Sequence, residues 1–121
     1  MIAHDRQKHA SGRSVLIVEP HEDLRDGIVG ALQRRDYVCD AVDTPEAAAL
    51  MLREHDYAYV VVDLAASPAS DLVSSVPNES NVILLTEDVA TDGDYAVLRK
   101  PFSRDELLAH FIVPSPRRGE G

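Results

Sequence analysis

The sequence predicts a doubly wound α/β fold on a parallel sheet, from three observations. First, Val15-Leu16-Ile17-Val18, Tyr59-Val60-Val61-Val62 and Val82-Ile83-Leu84-Leu85 are apolar at every position, not at alternate ones. Short β-branched and aliphatic runs of this kind suit strands buried on both faces. Second, strand signals alternate with helix signals along the chain, which implies right-handed crossovers between parallel strands. Third, a polar group ends each run: Glu19, Asp63 and Thr86, with Lys100 just past Val97-Leu98. Open parallel sheets bind ligands outside the carboxyl ends of their strands, so these four groups are expected to converge on one crevice.

Taken in order, residues 1–13 are polar, carry Ser11-Gly12 and read as a disordered leader. After the first strand, Leu24, Ile28, Ala31 and Leu32 fall at helical spacing and predict an amphipathic helix over about 22–35. Glu22, Asp23 and Asp26 near its start and Arg34-Arg35 near its end suit the helix dipole. Tyr37–Val42 is a weaker strand with a polar Asp40, placed at a sheet edge. Thr44-Pro45 is an N-cap followed by proline at the first helical position, opening a helix to about Glu54. A strand over 57–63 follows. Pro68, Pro77 and Asn78 leave room for about two helical turns before the strand at 82. Between Thr86 and Val97 no apolar stripe is visible, so a helix there is short or absent. Ser103 and Glu106 form a capping box for a last helix with Leu107, Leu108 and Phe111 inward. PSPRRGEG, 114–121, reads as a disordered tail.

The 121 residues suffice for one domain, placed at 14–113. No apolar stretch is long enough to cross a bilayer, and the polar start lacks a signal-peptide core, so a cytoplasmic protein without membrane contact is expected. The lone Cys39 allows no internal disulfide and reads as an inert strand residue. Net charge is −9 overall, and 14–113 holds seven Lys/Arg against nineteen Asp/Glu. Such a surface repels phosphate backbones and excludes direct nucleic-acid binding. Some of those acids serve solubility, and some could form a cation site.

The motifs VLIVEPHEDLR, YVVVDL, VILLT and LRKPF, in that order and at strand ends, resemble the receiver domain of bacterial response regulators over about residues 14–113. The resemblance implies a flavodoxin-like five-stranded sheet in the order 2-1-3-4-5. It makes Asp63 the acceptor of a phosphoryl group from a histidine kinase or phosphotransferase. It makes Thr86 and Lys100 phosphoryl-contacting residues, and implies Mg²⁺ held by Glu19, Asp63 and the backbone carbonyl of Ala65. It also implies a cis peptide bond before Pro101. Each residue has a plainer alternative: Asp63 as a turn or helix cap, Thr86 as a strand end bonding local backbone, Lys100 as a surface lysine beside Phe102.

The chain departs from the family pattern in several places. Two adjacent acids usually follow the first strand, and here they are Glu19 and Pro20. Proline offers no side-chain oxygen, which weakens an octahedral Mg²⁺ site, although Glu22 or Asp23 could reach in. Val97 stands where a switch aromatic is usual, and Tyr95, two residues earlier, is the candidate substitute. Glu87 replaces a small residue and would repel an incoming phosphoryl group. Without a helix after Thr86, part of the Val82–Leu85 and Val97–Leu98 sheet face lacks a cover, which suggests an output partner or self-association there.

The expected role is a stand-alone receiver in two-component or phosphorelay signalling that acts through protein contact and is not an enzyme. The alternative is a pseudo-receiver, a binding module that works without phosphate. A small metal-dependent phosphatase fits less well, because Ala65-Ala66 offer no acid/base partner to Asp63.

Overall fold

The computed structural model describes residues 13–64, 69–77, 80–87 and 95–111. The described residues form, in chain order, β1 Ser14–Val18, α1 Glu22–Gln33, β2 Val38–Val42, α2 Pro45–Glu54, β3 Tyr59–Asp63, α3 Ala69–Ser75, β4 Asn81–Thr86, β5 Ala96–Arg99 and α4 Arg104–Ala109. The strands form one parallel sheet in the order β2-β1-β3-β4-β5. This is the doubly wound, flavodoxin-like topology, and β2 lies at an edge as its polar residue suggests. The expectations for the leader, the tail and the stretch 88–94 lie outside the described residues, Arg13 apart.

The all-apolar strands divide their side chains between two layers. Val15, Ile17, Val61, Ile83, Leu85 and Leu98 face α1 and α4, together with Ile28, Leu32, Leu107, Leu108 and Phe111. Leu16, Val18, Val60, Val62, Val82 and Leu84 face α2 and α3, with Ala48, Leu72 and Val73. Full burial of a Val, Leu or Ile side chain contributes about 1.5–3 kcal/mol, so the central strands hold the sheet together. The sheet face around β4 is better covered than the sequence suggests. Val82 and Leu84 are buried against the cluster that includes α3, and only Val97 is half-buried.

Caps define the element ends. The Thr44 hydroxyl accepts from Ala47 N–H at 3.2 Å, and both halves of the Ser103–Glu106 capping box are formed. The first helix stops two residues earlier than its periodicity suggests, because the chain turns back there. Tyr37 N–H donates to Leu32 O at 3.1 Å and Asp36 N–H to Gln33 O at 3.0 Å, with Asp36 at φ 70°. This is a Schellman turn with a left-handed residue, and it drops Tyr37 into the core. Arg13, assigned to the leader by the sequence, packs on that turn. Its Nη1 donates to Arg35 O at 3.0 Å and its guanidinium lies 4.9 Å from the Tyr37 ring centre.

Candidate functional site

Three of the four strand-end groups meet. Glu19 follows β1, Asp63 ends β3 and Lys100 follows β5. Each continues the alternation of the α1/α4 layer: Val15, Ile17, Glu19; Val61, Asp63; Leu98, Lys100. The pleat thus aims all three toward one side of the sheet's carboxyl edge. Lys100 Nζ lies 3.0 Å from Glu19 Oε1 and donates to Asp63 Oδ2 at 3.2 Å. Both carboxylates are buried, with side-chain exposure of 0% and 3%, and the ammonium is 12% exposed. Burial disfavours the charge on Lys100, but its contacts with Glu19 and Asp63 outweigh that cost and raise its pKa above the ordinary lysine value.

Thr86 ends β4 and is buried. It stands one residue past Leu85, the partner of Asp63 in the ladder, and its carbonyl accepts from Lys100 N–H at 2.7 Å. By alternation its side chain belongs to the Val82–Leu84 series on the other layer, unlike the three charged groups. Backbone pairing therefore ties Thr86 to the lysine. The Lys100–Pro101 bond is cis, as the resemblance implies.

The loop after Glu19 contributes groups that the strand-end argument missed. His21 N–H donates to Glu19 Oε2 at 3.0 Å, and His21 Nδ1 lies 3.2 Å from the same oxygen. Arg25 Nη1 donates to the Glu19 carbonyl at 2.9 Å. The only sequence signal was proximity: an imidazole two residues and a guanidinium six residues after a strand-end acid. Glu22 and Asp23 are exposed on the first turn of α1 and do not join the cluster of potential ligands, which His21 completes.

Tyr95 is not brought to this crevice. It is 45% exposed at a bend before β5, at the amino end of the strand, whereas Lys100 follows the carboxyl end. The strand does not extend back to carry Tyr95: β5 begins at Ala96, and Lys100 lies past its other end. Ala65, whose carbonyl the resemblance assigns to a metal, lies outside the described residues. A pocket of about 560 Å³ opens beside the lysine, lined by His21, Leu24, Glu87, Lys100, Pro101 and Phe102.

The donor set fits a divalent cation in part. Glu19 and Asp63 offer buried carboxylates, and Glu19 Oε1 has no aligned hydrogen-bond donor although the ammonium lies 3.0 Å away. Buried carboxylate oxygens of that kind are good ligands for hard cations. Pro20 offers none, so the carboxylates number one fewer than the family pattern supplies.

No family model matches the sequence, and no curated protein does. Solved structures do match. The chemotaxis response regulator CheY4 of Vibrio cholerae superposes with a TM-score of 0.73 at 18% identity, over 80% of this chain and 93% of that one. The receiver domain of the sensor histidine kinase PA1611 of Pseudomonas aeruginosa, with a magnesium ion coordinated in its active-site cleft, gives 0.71 at 21%, over 84% and 95%. The beryllofluoride-activated NtrC4 receiver domain dimer gives 0.72 at 23%, over 82% and 93%. The chain has the fold of response regulator receiver domains. Among the described residues, no helix is long and apolar enough to cross a membrane.

Proposed function

We propose that this chain is a phosphoacceptor of two-component or phosphorelay signalling, with Asp63 as the acceptor. The supporting observation is the Lys100 ammonium held between two buried carboxylates from different strand ends, beside an open pocket. A histidine kinase or phosphotransferase is the donor. An Asp63 carboxylate oxygen attacks the phosphorus, the bond from phosphorus to the donor's histidine nitrogen breaks, and an acyl phosphate forms. Lys100 is placed to leave Glu19 and pair with a phosphoryl oxygen, which favours the modified state. The Thr86 hydroxyl closes on the same group from the adjoining strand. Glu19 and Asp63 would hold the divalent cation, Mg²⁺ in the resemblance, which when bound neutralises charge on the phosphoryl oxygens.

The chain is read as a cytoplasmic signalling protein and not as an enzyme, since it modifies itself and turns over no substrate. Its output is contact with a protein partner or a second copy near β4 and β5, where Tyr95 and Ala96 are exposed and Val97 is half-buried.

The deciding experiment incubates the protein with Mg²⁺ and acetyl phosphate, or beryllofluoride, beside Asp63→Asn. Amide shifts at the strand ends that need both the cation and Asp63 are expected. Identical spectra with and without the phosphoryl source at millimolar cation would replace this reading with a module that binds without phosphate.

A further inference from the structure

We propose that His21 completes a cation site with Glu19 and Asp63, and that its imidazole turns the preference of that site from Mg²⁺ toward a borderline transition-metal ion such as Co²⁺. This deepens the phosphoacceptor reading, and rests on it only for what the bound ion does.

One ligand atom from each of Glu19, His21 and Asp63 lies within 4.8 Å of the other two. An ion with ligand bonds of about 2.1 Å sets adjacent ligands about 3.0 Å apart and opposite ones about 4.2 Å apart. The 3.2 Å between His21 Nδ1 and Glu19 Oε2 already matches an adjacent pair. A second, independent feature points at a ligand. Glu19 is completely buried, and its Oε1 is paired with the Lys100 ammonium at 3.0 Å but accepts no well-aligned hydrogen bond. Buried carboxylate oxygens are otherwise satisfied in folded proteins. The Lys100 ammonium competes for both carboxylates, so an entering ion must gain enough from its ligands to displace or share it.

Ligand chemistry then decides which ion gains enough. Mg²⁺ requires oxygen ligands and surrenders water reluctantly. Pro20 offers no side-chain oxygen, and among the described residues the side chain that completes the cluster, His21, offers a nitrogen. Imidazole nitrogen binds Co²⁺ and its neighbours far better than Mg²⁺, and affinity rises from Mn²⁺ through Co²⁺. The His21 side chain is 76% exposed, so the ion has an open approach and water can fill the remaining positions.

The test titrates the full chain with Co²⁺ and with Mg²⁺ by calorimetry, following the visible absorption of Co²⁺. His21→Ala and Glu19→Gln are compared with the unmodified protein, with circular dichroism as the check on folding. The unmodified protein is expected to bind Co²⁺ at least about tenfold tighter than Mg²⁺, with His21→Ala losing about tenfold for Co²⁺ and little for Mg²⁺. The Co²⁺ bands should shift in His21→Ala. Unchanged Co²⁺ affinity and bands in that variant, or equal affinity for the two ions, overturns the proposal. Acetyl phosphate run in parallel in each ion separates the two readings. A response in Mg²⁺ that is indifferent to His21 sinks the site and spares the phosphoacceptor. Binding of Co²⁺ through His21 without any phosphoryl response in either ion does the reverse.

Discussion

The Lys100 ammonium and the Asp63 carboxylate, 37 residues apart in sequence, lie 3.2 Å apart at the carboxyl edge of the sheet. Two strands, β3 and β5, deliver them there, with β4 between. The same ammonium lies against Glu19, so one cation offsets two buried anions. Breaking such an arrangement leaves uncompensated charge out of water, which costs more than the pair contributes when intact.

Lys100→Met should therefore destabilise the fold by about 3–5 kcal/mol at neutral pH, read from urea denaturation. The double variant with Asp63→Asn should recover at least half of that loss, because one of the stranded charges is gone. A double variant as unstable as the sum of the two singles would show that the charges are not coupled.

Glu87 lines the same pocket as Lys100 and is exposed. Its carboxylate opposes the approach of a phosphoryl dianion, an effect screened by salt. Glu87→Ala should speed acetyl phosphate modification of Asp63 by about threefold at low ionic strength and by less at about 0.5 M salt. Equal rates in both salts would remove Glu87 from the account.

Cys39 sits half-buried on the edge strand β2, and burial, with a smaller contribution from the charge of Asp40, pushes its thiol up to about 11. At pH 8, alkylation by iodoacetamide should be about a hundredfold slower in the folded than in the urea-unfolded protein, since the thiolate is the nucleophile. The raised pKa means that the folded state holds the proton more tightly. The contribution of this thiol to stability is thus full below pH 9.0 and is lost as pH rises through about 11. Rapid labelling at pH 8 under native conditions would contradict the burial.

Asp36 carries the left-handed turn that ends α1. A β-branched residue is poorly tolerated there, so Asp36→Val should cost about 1–2 kcal/mol, whereas Asp36→Gly should be neutral to about 0.5 kcal/mol. Thermal denaturation of the three proteins measures the order. Valine and glycine variants of equal stability would mean that the turn relaxes.

Much of this architecture is readable from residue types. Val15–Val18 and Val60–Val62 are apolar at consecutive positions because helices cover both faces of the sheet, and Thr44 and Ser103 mark helix starts because their hydroxyls accept from backbone N–H groups. Glu19 and Asp63 stand out because each ends an apolar run, and Lys100 because it lies just past one, where a parallel sheet opens to solvent. His21 and Arg25 carry no such mark. Their place beside Glu19 follows from the path of a short loop, which residue type does not specify.

Local chemistry, then, was enough to establish the strands, the caps and the identity of the acids and the lysine, because burial and hydrogen-bond satisfaction act residue by residue along the chain. Folding in three dimensions settled the rest. It put Thr86 on the opposite alternation from Asp63, set Tyr95 at the far end of β5 and brought an imidazole against a buried carboxylate. Those outcomes depend on register, strand length and loop path, and these are set by packing between segments distant in sequence.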